Sequence, residues 1–349
     1  MNIILIILVF GVIVFFHELG HFLVAKLNKI SVAEFSIGLG PAIFSKERKG
    51  TKYSLRLLPL GGYCMMVGEE NASEDENAFN NKPVWVRMMV MAAGPLFNFL
   101  LAFLFGIVLV HYAGCDPAVL SKIAPNSAAQ EAGLCAGDEI IKINGKRIYN
   151  FRELPLHLAL MKEGEPIELT MERPNGTRYE TVAIPKEENG SYYLGVESKG
   201  VLADGPLMTI KYAALECRYW AKTTIMSLRM IVTGKVKSTE IMGPVGVGQE
   251  MNNILDEVKD VSETKKDYII NMMLNLMNWC ILLSVNLGIM NLLPIPALDG
   301  GRLLFLIIEA VTRRKIPQEK ENIVNLIGFV ILFLIMILVF FNDIKNVFF

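Results

Sequence analysis

The chain has 349 residues, 52% of them hydrophobic and 20% charged, and its 34 Lys and Arg against 35 Asp and Glu leave a net charge of −1. With Gly counted in place of Tyr the apolar share is about 57%, against roughly 45–50% for ordinary soluble domains, so part of this protein belongs in lipid. The balanced charge leaves no basic field and excludes nucleic acid as a partner, while five scattered cysteines are too sparse for a disulfide scaffold and do not report the redox compartment.

Four uncharged runs are long enough to cross the roughly 30 Å hydrocarbon core as helices. They run from Met1 to just before Glu18, from Met88 to Val110, from Tyr268 to Leu298 and from Ile323 to Phe341. Met1-Asn2 offers no basic n-region and no small-x-small site follows, so a cleaved signal peptide is not expected. Lys and Arg gather between Lys26 and Arg87 and between Arg302 and Lys320. That bias predicts cytoplasmic placement of both loops, with the N- and C-termini outside. Residues from about 113 to 267 then form an exported module.

At the end of the first run stands His17-Glu18-Leu19-Gly20-His21. Residues four apart share a helix face, so the two imidazoles can bind a single Zn²⁺. Glu18, about 100° round the helix, stands beside the metal, where it could take a proton from a water held there. Two of the four histidines fall in this spacing, at a depth where each ionisable group costs roughly 2.5–3.5 kcal/mol and therefore needs a partner. A hydrogen-bonded cluster gluing helices together is the plainer alternative. His111 and His157 stand alone and read as interfacial or surface residues.

Between the first two spans, Phe35 to Pro41 and Tyr53 to Leu57 alternate apolar with polar or glycine, the period of strands. Such strands could accept an extended substrate by edge pairing or could simply brace two helices. Glu69, Glu70, Glu74, Asp75 and Glu76 read as a solvated charge run. Gly94-Pro95 and Asn98 in the second span permit close packing or a kink and are assigned to structure.

The exported module opens with a compact α+β pattern. A short helix from Ser127 to Ala132 stops at Gly133, a strand from Glu139 to Ile143 ends in Asn144-Gly145, and a second helix covers Phe151 to Met161. Strands Ile167 to Arg173 and Arg178 to Ile184 flank the turn Pro174-Asn175-Gly176-Thr177. Gly133-Leu134, Ala136-Gly137-Asp138 and Ile143-Asn144-Gly145 give this stretch a resemblance to a bacterial PDZ domain. Lys186 to Pro206 reads as a linker, and Met208 to Val232 as an amphipathic interfacial helix.

A catalytic zinc takes three protein ligands plus water, so two histidines are not enough. The third span runs the same way across the membrane as the first and carries Asn291-Leu292-Leu293-Pro294-Ile295-Pro296-Ala297-Leu298-Asp299-Gly300-Gly301 at its inner end. Asp299 therefore reaches the depth of His17 whichever way round the protein sits. Its prolines and glycines favour irregular backbone, which membranes tolerate only under protein or water cover. Asp299 is the expected oxygen ligand; a plain carboxylate at the interface is the other reading.

His17-Glu18-x-x-His21 together with Asn291-x-x-Pro294-x-Pro296-x-Leu298-Asp299-Gly300-Gly301, separated by a PDZ-like insert, resembles the site-2 protease family of intramembrane metalloproteases, in its bacterial RseP-like branch. The resemblance implies a zinc peptidase that cuts a substrate's transmembrane segment after an upstream site-1 type protease has shortened it. It implies His17, His21 and Asp299 as metal ligands, Glu18 as general acid/base, Asn286 and Asn291 as residues holding substrate, and a membrane-associated β-structure between the first two spans. Many relatives carry two PDZ domains, and only one fits here. The expected fold is thus an α-helical polytopic membrane protein with four transmembrane helices, a membrane-associated β-hairpin region and an exported PDZ-like domain. Its parts are a first membrane half (1–112), the PDZ-like domain (113–186), a linker with the interfacial helix (187–267) and a second membrane half (268–349). Its partners are the lipid bilayer and transmembrane substrates, and its place is the bacterial inner membrane with the site near the cytoplasmic side. Two alternatives from other classes are a membrane metal-ion transporter and an inactive adaptor working through its PDZ-like module.

Overall fold

A computed structural model describes residues 2–69, 71, 73–162, 164–188, 190–234 and 243–348. The chain divides into two compact units, one formed by Met1–Phe105 with Thr224–Phe349 and the other by Gly106–Thr223.

The first unit is helical. Helix α1 (Asn2–Leu27) is followed by two long strands, β1 (Val32–Arg48) and β2 (Thr51–Met66), and then by α2 (Val84–Ala113), whose last residues belong to the second unit. Among the described residues, four helices are apolar and long enough to cross a membrane: Ile4–Leu27, Val84–Ala113, Lys265–Leu292 and Gln318–Lys345. Even the shortest, at 24 residues, rises about 36 Å. These features identify a multi-pass membrane protein.

The strands, of 17 and 16 residues, run well beyond the alternating stretches seen in the sequence. Residues 34–37 pair on one side with 62–65 (Glu34 with Met65, Ile37 with Gly62) and on the other with 52–55 (Glu34 with Lys52, Ile37 with Leu55). The stretch Gly62 to Met65 thus has a strand partner on one side only among the described residues. Phe35 packs its ring on Phe22 of α1, centroids 4.7 Å apart, and this contact holds the strands against the first helix.

The third expected span shows a difference. Helix α7 (Lys265–Leu292) stops six residues short of Leu298, because Leu293 precedes Pro294, a position that disfavours helix. The chain turns through Ala297 at φ +73° and a separate helix, α8 (Asp299–Thr312), begins at Asp299. A side chain at Gly300 or Gly301 would meet the Leu293 or Ile295 carbonyl at 2.2 or 2.4 Å, so the Pro-rich turn closes on its helix only with glycine there. Two further helices complete the unit: α6 (Pro244–Val261) and α9 (Gln318–Phe348). The buried Asp343 carboxylate of α9 caps α6 by accepting from the Gly243, Val245 and Gly246 amides at 2.7–3.0 Å.

In the second unit a four-stranded antiparallel sheet has the order β5 (Lys146–Arg147), β4 (Glu139–Ile143), β6 (Ile167–Glu172), β7 (Arg178–Ala183). Ile167, Leu169 and Met171 alternate inward on β6 and are fully buried with Ile140 and Ile143, each contributing about 1.5–3 kcal/mol. The stretch expected as a linker from Lys186 is corrected here: it forms β8 (Lys186–Glu188), β9 (Ser191–Tyr193) and β10 (Val196–Ser198), and β10 pairs with β3 (Leu120–Ile123). Strands of three residues are too short to leave a readable alternation.

Helix α5 (Gly205–Val232) is secured to this unit by buried charge. The Glu153 carboxylate on α4 (Glu153–Leu158) is fully buried and accepts from Arg218 at 2.8 Å and Lys222 at 2.6 Å. Although burial alone would push Glu153 up, Lys222 and Arg218 hold it below its ordinary value. His157, 3.0 Å from the Lys222 ammonium, is pulled down by burial and by that cation to about 4. His157 is thus half-buried against Lys222 of α5.

Between the ordinary 6.5 and about 4, the unfolded chain takes up a proton at His157 that the folded unit refuses, so stability falls as the pH drops through this window. The Glu153 contribution is present above its ordinary 4.5 and is lost only lower, as the pH falls through its depressed folded value. Hydrogen exchange at β6 amides of the full-length protein is expected to accelerate from pH 6.5 to 4 beyond the intrinsic rate change, and His157→Gln should flatten that trend.

Candidate metal centre and active site

Helical spacing brings the imidazoles of His17 and His21 to one face of α1, ring centroids 4.9 Å apart. Asp299, the first residue of α8, presents its carboxylate to both. Its Oδ2 lies 3.1 Å from His17 Nε2 and 3.2 Å from His21 Nε2, and those two nitrogens are 3.4 Å apart. One ligand atom from each of the three residues falls within 4.8 Å of the others. Both histidines are buried.

The arrangement calls for a cation. His21 Nδ1 lies 2.8 Å from the Val90 carbonyl of α2, which can only accept, so the ring proton sits on Nδ1 and Nε2 carries a lone pair. Asp299 Oδ2 is buried without a hydrogen-bond partner despite its nearness to both rings. Lone pairs thus converge on one point, and a zinc ion fits that donor set of two imidazoles and one carboxylate. The back wall leaves room for it: a Cβ on Gly94 of α2 would lie 2.2 Å from His21 Nε2 and 2.8 Å from His17 Cε1.

Glu18 lines the same cavity, of about 690 Å³, with His17, His21, Asp299, Tyr63, Cys64, Met65 and Met66. The open edge of β2 therefore runs beside the candidate base. The cavity continues to Asn325 and Phe329 of α9 and to Arg302 of α8.

Of the two asparagines expected to hold substrate, Asn291 Nδ2 lies 3.4 Å from His17 Nε2. Asn286 accepts a hydrogen bond from Thr224 of α5, and neither asparagine is among the residues lining the cavity. Residues five apart on a helix point about 140° away from each other, so the two amides leave α7 in different directions. Glu69, expected to be solvated, is paired with Arg302, and Gln318 donates to its carbonyl at 3.0 Å; Glu70 lies outside the described residues. The sequence reading missed Arg302, although it stands three residues after Asp299 and therefore on the same side of α8. It also gave Asn98 to structure alone, whereas the Asn98 amide is 3.2 Å from His17 Nδ1. The visible signal was the spacing of Val90, Gly94 and Asn98, four residues apart on one face of α2.

Comparisons with known proteins give the family. The model of peptidase family M50 matches residues 5–335. The chain is 32% identical to the regulator of sigma-W protease RasP of Bacillus subtilis, over 98% of both chains. It is also 32% identical to the zinc metalloprotease RasP of Geobacillus kaustophilus, over 99% of this chain and 98% of that one. These alignments run over 429 and 431 positions, more than the 349 residues present here, so both relatives contain residues that this chain lacks.

Gly94→Ala is expected to lower zinc affinity by ~10-fold or more, because its methyl group would displace a ligand ring; competition against a chromogenic chelator with the purified protein measures it.

Proposed function

Because the chain belongs to peptidase family M50, and is a zinc metalloprotease of the site-2 type, we propose that it cleaves the transmembrane segments of membrane-protein substrates, with His17, His21 and Asp299 as zinc ligands and Glu18 as general acid/base. The observation that carries this reading is the convergence of three buried ligand atoms from two apolar helical segments, beside a carboxylate that shares their cavity. When bound, a zinc ion supplies Lewis-acid polarisation of a carbonyl and acidifies a water. Glu18 takes a proton from the attacking water and returns it to the leaving amide nitrogen. Asn291, at the rim of the histidine pair, donates its amide to the substrate backbone. The Asn286 amide nitrogen serves the same chain further along α7.

A membrane helix hides its amides in its own hydrogen-bond ladder, so cutting it requires replacement partners for an unwound stretch. The one-sided strand Gly62 to Met65 supplies them by edge pairing. The second unit, in our reading a PDZ-like domain on the outer side, screens access, so that substrates arrive already shortened by a site-1 type protease. Anti-sigma factors and signal-peptide remnants are the substrate classes this scheme favours; the name of the Bacillus subtilis relative, a regulator of sigma-W protease, supports the first. The Lys and Arg bias of the loops puts the termini outside and the metal near the cytoplasmic face of the inner membrane.

Full-length protein in nanodiscs is expected to cut a membrane-spanning model substrate. Glu18→Gln should reduce the rate by ~100-fold or more while zinc stays stoichiometric, and Asp299→Ala should lose the metal. Undiminished cutting by Glu18→Gln, or zinc flux into vesicles without any peptide product, would overturn the assignment.

A further inference from the structure

Zinc ligation fixes where a histidine keeps its proton. A neutral imidazole that gives the Nε2 lone pair to a metal carries hydrogen on Nδ1, and that N–H needs an acceptor. For His21 the acceptor is the Val90 carbonyl at 2.8 Å. For His17 the group facing Nδ1 is the side-chain amide of Asn98, with Nδ2 at 3.2 Å. Two donors would then face each other. At the same time the other end of that amide, Oδ1, is buried without a hydrogen-bond partner, in a residue with no exposed surface. Amide nitrogen and oxygen have nearly the same shape, and their placement follows from the hydrogen bonds they make. Turning the Asn98 amide by half a revolution sets its oxygen against His17 Nδ1–H, so that one hydrogen bond gives the oxygen a donor and the ring an acceptor.

We infer that Asn98 is a positioning residue for the zinc site, presenting its carbonyl oxygen to His17 Nδ1–H and so fixing the tautomer and orientation of that ligand; this rests on the reading of His17 as an Nε2 ligand. The residue is built to hold still. Its own backbone carbonyl accepts from Ser284 Oγ of α7 at 2.8 Å, and Ser284 is fully buried. Gly94, one turn earlier on α2, leaves both rings clear, and Val90, a further turn back, holds the other ring. One face of α2 thus orients both histidines of α1, through a main-chain oxygen for His21 and a side-chain oxygen for His17.

The test is zinc affinity of the full-length protein by chelator competition, with the visible spectrum of the Co²⁺-loaded protein as a report of ligand geometry. Asn98→Leu keeps the volume and removes the acceptor; it should weaken zinc binding by roughly 10–100-fold and alter the Co²⁺ spectrum. Asn98→Asp keeps an acceptor and removes the donor, and should bind zinc at least as tightly as the wild type. If Asn98 instead donated to His17, the Asp variant would fail like the Leu variant while remaining folded by circular dichroism, and the inference would be wrong. Wild-type affinity in Asn98→Leu would also overturn it, and should that variant not fold, the Asp result alone decides. His17→Ala separates the two readings: metal loss there with no effect at residue 98 defeats the positioning role alone, whereas metal retention there defeats the ligand assignment beneath it.

Discussion

Two imidazoles and a carboxylate converge between apolar helices, with the Glu18 carboxylate in the same cavity, and much of the membrane unit follows from keeping them there. Each would be expelled toward water if unpartnered, at a cost of about 2.5–3.5 kcal/mol, and bringing them together around a cation converts three penalties into one bonded group. To reach the histidines of α1, the carboxylate must come from a chain segment that ends its crossing at the same depth. Proline provides that end, and the glycines after Asp299 let α8 start without delay. The clustering of these three side chains thus gives a reason for irregular backbone where lipid would not tolerate it.

The cover for that backbone comes from the strands between the first two spans and from α9. The strands bury Phe35, Cys64 and Met66 against α1 and α2, so the wall of the cavity is also part of the core. Within the sheet, residues 34–37 satisfy their hydrogen bonds on both sides. The outer segment, residues 62–65, pairs on one side only among the described residues. Edges of this kind are a hazard on a free surface, and here the edge lies in a cavity beside Glu18.

Much of this was legible in the residues themselves, and the parts that were not share a cause. The spacing of His17 and His21 is local, so helix geometry alone predicted their common face. Asp299 lies far along the chain, yet crossing direction placed it at their depth. The strand alternation around Phe35 and Tyr53 was visible, but not the double pairing of residues 34–37, because pairing is a property of the folded sheet. The short strands after Lys186 lacked the length to show a period. Asn286 and Asn291 were grouped by their place at the end of the third span and by the family resemblance, and helix phase turns them in different directions. Asn98 sat in plain view four residues after Gly94, but nothing in one sequence says which face of α2 meets α1.

The ion pair between Arg302 and Glu69 has a mechanical reading. Arg302 rides on α8 one turn beyond Asp299, and Glu69 follows closely on the last residue of β2. The carboxylate that closes the metal site and the strand that borders it are therefore clasped together at their far ends. A shift of either piece therefore carries the other with it, as a rivet makes two plates move together.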